Sequence, residues 1–150
     1  MSGTQSLKGL VKLAGVRTSG AKARLARAQA EQRNAADAVR EEERKLHEFH
    51  ARIAERRSAM MKDLLSGPVS PARVARLPMI DAVLQDQLKT ADAELKSARD
   101  NLARTEKAVT ERQFEVALQL QKQRKIEIAY DQMVILDLQG SEVAEEIQAD

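Results

Sequence analysis

The stretch Ser66–Pro78 reads SGPVSPARVARLP, contains all three prolines of the chain and separates two long series of helical heptads. Before it, a column with a seven-residue spacing consists of Leu25, Gln32, Val39, Leu46, Ile53 and Met60. After it, a second column consists of Leu88, Leu95, Leu102, Val109, Val116, Gln123 and Tyr130. Sustained seven-residue spacing of apolar residues indicates a coiled coil. Because one short turn joins the two arms, the sequence predicts an all-α fold, a long two-helix antiparallel coiled-coil hairpin.

The boundaries follow from the glycines and prolines. A single domain over residues 1–150 is predicted, with helix one at about 4–65, a turn region at 66–78 and a longer helix two at about 79–147. Inside the turn region, Ser70 and Pro71 predict a short helical turn, and Pro78 predicts the restart of the chain as helix two. Gly15 and Gly20 predict a weak point in helix one, and Gly140 an interruption in helix two. With the turn centred near residue 72, the numbers of residues facing each other should add to about 144.

Composition favours a thin molecule without chemistry of its own. The chain has two Phe, one Tyr and no Trp, and 32% of its residues are charged, so a narrow helix–helix seam fits better than a thick core. The absence of cysteine excludes disulfides and thiolate metal sites, and we expect no cofactor. The uninterrupted aliphatic run Met133–Leu136 is far shorter than the ~20 residues of a membrane-spanning helix. We therefore expect a cytoplasmic protein that does not insert directly into a membrane.

Charge is distributed unevenly along the chain. Residues 1–40 contain eight basic and two acidic groups, whereas residues 125–150 contain one basic and seven acidic groups. In an antiparallel hairpin these segments lie side by side, so their opposite charges select the register. Like-charge repulsion disfavours a parallel homodimer, and we expect a mainly monomeric chain.

Candidate sites for chemistry are weak. His47 and His50 lie three residues apart, one turn after Glu43, but an exposed helix offers no pocket or supporting shell for a metal, and solvated histidines are the better interpretation. The basic stretch Lys8–Arg40 lacks aromatic residues that would stack on bases, so we expect no nucleic-acid binding. No nucleophile or phosphate-binding motif is present, so the sequence predicts that the protein is not an enzyme.

Two clusters contain more apolar residues than one helix–helix seam can bury. Near the C-terminal end these are Ile126, Ile128, Ala129, Tyr130, Met133, Val134, Ile135, Leu136 and Leu138, which either face a partner or are covered by residues 7–16. Near the turn they are Val69, Val74, Leu77, Met79, Ile80, Val83 and Leu84, which either face a partner or pack the end of the hairpin.

The overall layout resembles a known family. A basic Ala/Arg-rich first helix is followed by a Gly/Pro break before the midpoint and by a longer, charge-rich helix that starts as LPMIDAVL at residues 77–84. In these features, over essentially the whole chain, the sequence resembles the FliJ/YscO family of type III secretion stalk proteins. The resemblance implies a fold similar to the coiled-coil part of the central shaft of rotary ATP synthases. It also implies that the end with both termini inserts into a hexameric secretion ATPase, while the turn-proximal part reaches the membrane export gate and can engage escort chaperones.

Carried over by position, the resemblance implies a set of ATPase-ring contacts: Lys8, Lys12, Arg17, Arg24, Val134 and Leu138. It implies export-gate or chaperone contacts at Ile80, Leu84 and Gln87, although Gln87 stands where a small apolar residue is expected. The proline-rich break favours an injectisome, and thus a virulence role, over a flagellum. The alternatives are a coiled-coil scaffold or escort chaperone that binds client helices without an ATPase partner, and a self-associating filament.

Overall fold

Two long helices account for almost all of the chain. The computed structural model describes residues 3–68 and 70–149, and Val69 of the predicted turn cluster lies outside the described residues. Helix α1 covers Gly3–Leu65 and helix α2 covers Pro71–Ala149, and the described residues contain no strand. The helices pack against each other in opposite directions, which confirms the predicted all-α two-helix hairpin with the longer second helix.

The turn is shorter than predicted because α2 begins at Pro71 rather than near residue 79. Ser70 caps the helix: the backbone N–H of Arg73 donates to the Ser70 hydroxyl at 3.2 Å and to its carbonyl oxygen at 3.0 Å. Proline fits the first helical position because its missing N–H would have no partner there, so this part of the prediction is confirmed. The predicted restart at Pro78 is wrong, since α2 continues through it. Interhelical ion pairs lie on both sides of this residue, Arg73–Asp63 at 3.5 Å and Arg57–Asp81 at 2.8 Å, so α2 runs beside α1 before and after it.

The shorter turn also changes the register. The residue numbers of the ion pairs Arg73–Asp63, Arg57–Asp81 and Arg99–Glu43 add to between 136 and 142, not to the predicted 144. The difference arises because the chain reverses near Pro68, between Leu65 and Pro71, whereas the prediction placed the centre of a longer turn near residue 72.

The structure divides into two compact units, each a section of both helices. Unit 2 comprises residues 31–106, and the side chains buried in it are Ala35, Val39, Ile53, Leu84 and Leu95. Unit 1 comprises the described residues of 1–30 and 107–150, and the side chains buried in it are Ala14, Thr18, Ala21, Ala28 and Val109.

An alanine column is the main feature of the seam on α1. Ala14, Ala21 and Ala28 in unit 1 and Ala35 in unit 2 are seven residues apart and all buried, with Ala21 0% exposed. Small side chains at a seam position allow two helix axes to approach closely. The sequence interpretation identified the Leu/Val/Ile column but not this second column, whose members are weakly hydrophobic and also common on exposed helix faces.

The glycines do not interrupt either helix. Helix α1 is continuous through the predicted weak point at Gly15 and Gly20, and α2 is continuous through Gly140, so the interruption predicted there is absent. Between the first two glycines, the buried Thr18 donates its hydroxyl hydrogen bond to the carbonyl oxygen of Ala14 at 3.0 Å. This bond satisfies the polar group inside the seam and leaves the backbone ladder intact.

Candidate interaction surfaces

Three of the four cations predicted to contact an ATPase ring lie free on the surface of unit 1. Lys8, Lys12 and Arg17 are exposed and take part in none of the ion pairs formed within the described ranges. Arg24 instead connects the two helices, because its Nε donates to Glu115 Oε1 at 3.0 Å and its guanidinium forms an ion pair with the same carboxylate. Arg112 donates to the other oxygen of Glu115 at 2.8 Å. Arg24 first, and then Arg112, hold the pKa of Glu115 below its usual value.

Apolar side chains are exposed on both helices of unit 1. Val134 is half-buried and Leu138 is 61% exposed, so only the second of these two predicted ring contacts is fully available. The N-terminal residues cover the C-terminal cluster only in part. Leu7 and Val11 are half-buried, as are Met133 and Val134 of the cluster, whereas Leu10, Leu13 and Val16 are exposed. The exposed large apolar side chains of α2 in this unit are Phe114, Leu118, Leu120, Ile128, Ile135, Leu136, Leu138, Val143 and Ile147.

These exposed residues lie on more than one side of the unit. Phe114, Ile128 and Ile135 share one heptad position that points away from the seam, with Gln121 between them. On α1, Val16 occupies the equivalent outward position. Phe114 is 73% exposed and Val16 is 68% exposed. Sequence reasoning missed both, because it examined apolar excess only where several apolar residues are adjacent in the chain.

A shallow groove with a cationic rim lies on one side of unit 1. It has a volume of about 270 Å³ and combines apolar walls with Arg17, Lys122 and Lys125. The remaining lining residues are Leu10, Leu13, Ala14, Gln119 and Ile126. None of the described residues that line the groove is acidic.

The last part of α2 has the opposite charge. Every residue from Ile135 to Gln148 is exposed, and this segment contains Glu142, Glu145 and Glu146 but no basic residue. The hydroxyl of Thr4 donates to a carboxylate oxygen of Asp137, which ties the start of α1 to this segment.

In unit 2, the three predicted gate residues Ile80, Leu84 and Gln87 line one shallow groove of about 250 Å³, but they differ in exposure. Ile80 is 38% exposed and Gln87 is exposed, but Leu84 is only 5% exposed because it packs into the seam. Leu84 therefore offers little surface to a partner, because it lies four residues before Leu88 and shares the helix face that packs against α1. The exposed apolar neighbours on α2 are Met79 and Val83.

A larger apolar groove lies near the turn. Its volume is about 630 Å³, and its lining is Arg57, Met60, Met61, Leu64, Val74, Leu77, Pro78 and Asp81. The predicted turn cluster contained only the α2 part of this surface. Helix α1 adds three of the apolar residues, which sequence reasoning could not assign to the same surface without the correct register.

Other candidate features show no built site. His47 and His50 are exposed, and Glu43 accepts a hydrogen bond from Arg99 at 3.3 Å. The described ranges 3–68 and 70–149 contain no group of three or more His, Cys, Asp or Glu residues able to hold a metal. Within the same ranges, neither helix has a segment that is both long and apolar enough to span a bilayer.

We compared the chain with protein-family models, with curated protein sequences and with solved structures, and none of them matches it significantly.

Proposed function

We propose that the protein is a central stalk of a type III secretion system, which inserts its termini-bearing end into the hexameric secretion ATPase and couples that ring to the export gate, aiding protein export. The proposal depends on the family resemblance and is supported by the two-helix hairpin. The observation that carries it is the exposure of apolar side chains on several sides of unit 1, on α1 as well as on α2.

A surface of this kind fits a partner that surrounds it. A flat partner covers one side of a helix pair, which would leave either Val16 or the Phe114–Ile135 side in water. Burying one large apolar side chain contributes roughly 1.5–3 kcal/mol to the binding free energy, so a partner that leaves several exposed binds much more weakly. The pore of a ring covers opposite sides of an inserted helix pair at once, and a hexameric ATPase provides such a pore.

The three free cations add positive charge to the same unit. Lys8, Lys12 and Arg17 are available to carboxylates of a partner, since they are not neutralised within the described part of the chain. Any effect on ATP hydrolysis would come from a difference in the affinity of this surface for ring subunits in different nucleotide states.

The turn-proximal unit supplies the second contact of the proposal. Ile80 and Gln87 remain candidates for the export gate or for escort chaperones, and the exposed Val83 replaces the buried Leu84 as the apolar member of that set. The stalk would act at the cytoplasmic base of a secretion apparatus, and the proline-rich turn favours an injectisome.

ATP hydrolysis by the secretion ATPase of the same organism tests the proposal. The purified chain should stimulate hydrolysis, and the triple charge reversal K8E/K12E/R17E should weaken both binding and stimulation because it places carboxylates against the complementary ring surface. The triple reversal K89E/K96E/R104E is the matched control, since these three cations are also exposed but lie in unit 2. Equal loss in both variants, or no loss in either, would contradict the placement of the ring at unit 1.

A second pair of variants tests the surrounding contact. V16S and F114S change exposed residues on the two helices, so each should reduce ring binding while leaving the helical circular dichroism unchanged. If only one of the two matters, the partner covers a single side and does not enclose the helix pair. I80S/V83S should impair secretion without changing stimulation of the ATPase.

The coiled-coil scaffold or escort chaperone remains the second candidate, and the apolar groove near the turn favours it. Met60 and Met61 on α1 line this groove, and flexible methionine side chains suit surfaces that accept varied apolar helices. Absence of ATPase binding, together with binding of an amphipathic client helix that M60S/M61S abolishes, would favour this function over the stalk.

A further inference from the structure

Exposed apolar side chains cover much of the surface at the turn end of unit 2. At the end of α1, Leu65 is 84% exposed and Met61, one turn earlier, is more than half exposed. Between the helices, the larger apolar groove near the turn opens on a further side. On α2, the positions that point away from the seam over residues 72–83 are exposed and, apart from Arg76, uncharged: they are Ala72, Ala75, Met79, Ala82 and Val83. A helix that lies in one groove would leave most of these side chains in water.

The free charge at this end is positive. Residues 64–80 contain two arginines and no Asp or Glu. Lys62 and Arg76 are exposed and take part in none of the ion pairs formed within the described ranges. The neighbouring carboxylate of Asp63 is already paired with Arg73 at 3.5 Å. The turn end therefore combines apolar surface with unpaired cations, and Asp63, the nearest carboxylate on α1, has a cation of its own.

The two free cations lie directly beside the exposed apolar side chains. Lys62 precedes Leu65 by three residues, and Arg76 precedes Met79 by three residues. Residues three apart in a helix are neighbours on its surface, so each cation shares a helix face with one large exposed apolar side chain. A helix surface that combines Lys or Arg with exposed apolar side chains in this way is typical of segments that bind in the headgroup layer of a membrane.

We propose that the turn end of the hairpin binds the surface of a bilayer that contains anionic lipids, with Leu65 and Met79 below the headgroups and Lys62 and Arg76 against lipid phosphates. This inference does not depend on the proposed function. A contact of this kind lies at the depth of the headgroups and needs no spanning segment, so it differs from the direct membrane insertion that the sequence argues against.

The distribution of the apolar side chains selects a lipid surface over a protein groove. The end of a hairpin can enter a headgroup layer on all its sides at once, because lipids rearrange around it, whereas a docked client helix covers one side. The long side chains of Lys62 and Arg76 can keep their charges at the phosphates while their stems lie along apolar surface. Anionic lipids attract each of these cations, and they would repel an unpaired carboxylate at the same place.

Flotation of the full chain with lipid vesicles tests the proposal. The chain should float with vesicles of phosphatidylcholine and phosphatidylglycerol, and it should bind at least about tenfold more weakly to phosphatidylcholine alone or at high salt. K62E/R76E should weaken binding to the anionic vesicles at least about tenfold, because it reverses both free charges at the contact. K89E/K96E is the matched control, since these exposed lysines lie on α2 of the same unit but farther from the turn, and it should bind like the wild type.

Three outcomes of this assay would overturn the proposal. The first is a chain that does not float with anionic vesicles, and binding of an amphipathic client helix by that chain would identify the turn end as a protein site instead. The second is an equal loss of binding in K62E/R76E and K89E/K96E. The third is a loss in K8E/K12E/R17E with normal binding by K62E/R76E, which would place the lipid contact on unit 1.

The apolar part of the contact has its own variants. L65S/M79S changes two exposed side chains, so it should leave the helical circular dichroism unchanged and weaken binding to anionic vesicles at least about tenfold. F114S is the matched control, because Phe114 is equally exposed but lies in unit 1. Full binding by L65S/M79S would contradict the entry of the turn end into the lipid layer.

A fluorophore measures the depth of the contact, since the chain has no cysteine of its own. L65C and A93C, each labelled with an environment-sensitive dye, place the probe at the turn and at an exposed position farther along α2. Anionic vesicles should shift the emission of the label at residue 65 to the blue, and lipids brominated in their acyl chains should quench it, while the label at residue 93 stays unchanged. An equal response at both positions would show that the hairpin lies flat on the surface, which contradicts the proposal. Neither assay involves the ATPase, so this inference and the stalk proposal are tested separately.

Discussion

The alanine column gives the sharpest test of the fold. Ala21 is 0% exposed and lies at the middle of the unit 1 part of that column, where α2 covers it among the described residues. The variant A21L adds three carbon atoms at a site without free surface. If the seam could open to accept them, the extra apolar burial would contribute about 0.8 kcal/mol per added group. Because the helices are in close contact, we expect A21L to destabilise the chain instead.

The expected magnitude follows from overpacking. Forcing added methylene groups into a well-packed site costs about 1–3 kcal/mol, and we expect A21L to lie near the middle of that range. For a chain of this size a loss of 1 kcal/mol lowers Tm by about 2–4 °C, so the decrease should be about 4–8 °C. A change in helix propensity contributes little to the stability difference between A21L and the wild type, since leucine and alanine are both good helix formers.

Urea and thermal unfolding followed by circular dichroism are suitable assays. A23L is the matched control, because Ala23 is exposed two residues away on the same helix. The control should unfold within about 0.5 kcal/mol of the wild type. If A21L proved as stable as the wild type, or more stable, the helices could not be as close at Ala21 as the structure shows, and the account of the seam would be refuted.

Two further predictions concern single positions. P78A should stabilise the chain by up to about 3 kcal/mol in urea unfolding, because Pro78 removes one backbone hydrogen bond inside α2; an unchanged or lower midpoint would show that its restriction of the unfolded chain dominates. The folded chain holds the pKa of Glu115 below the usual 4.5, so this carboxylate stabilises the fold above that pH, and the contribution disappears as the pH falls through the lowered pKa. The stability difference between the wild type and E115Q should therefore shrink on acidification below about pH 4.5, and a difference that grows would contradict the Arg24–Glu115 contact.

The sequence predicted the helices better than their register. The Leu/Val/Ile columns and the Ser66–Pro68 break were sufficient for two antiparallel helices, because a seven-residue spacing and a chain reversal have few other solutions. Pro78 led to a wrong start for the second helix, since proline is disfavoured inside a helix. In the structure, α2 packs against α1 before and after Pro78 and stays helical through it. That single residue moved the turn centre. The contact role of Leu84 came from the resemblance, although its spacing of four residues from Leu88 places it beside the seam column.

The candidate surfaces were only partly readable from the sequence. Runs such as Val134–Leu136 reveal apolar excess because neighbouring positions cannot all face one seam. Isolated residues such as Phe114 and Val16 carry no such signal, and their exposure becomes visible only once the seam positions are known. Arg24 was grouped with the free cations for the same reason, because its partner Glu115 is distant in the chain.

Tyr130 belongs to the Leu/Val column of α2, is half-buried in unit 1 and is the single tyrosine of a chain without tryptophan. The protein therefore contains its own optical reporter. Excitation of tyrosine gives emission from one known position, between the cation-rimmed groove and the acidic segment, without any label and without a competing indole. Changes in its intensity or anisotropy would report whatever covers this end of the hairpin, and a partner that contains tryptophan would quench it by energy transfer.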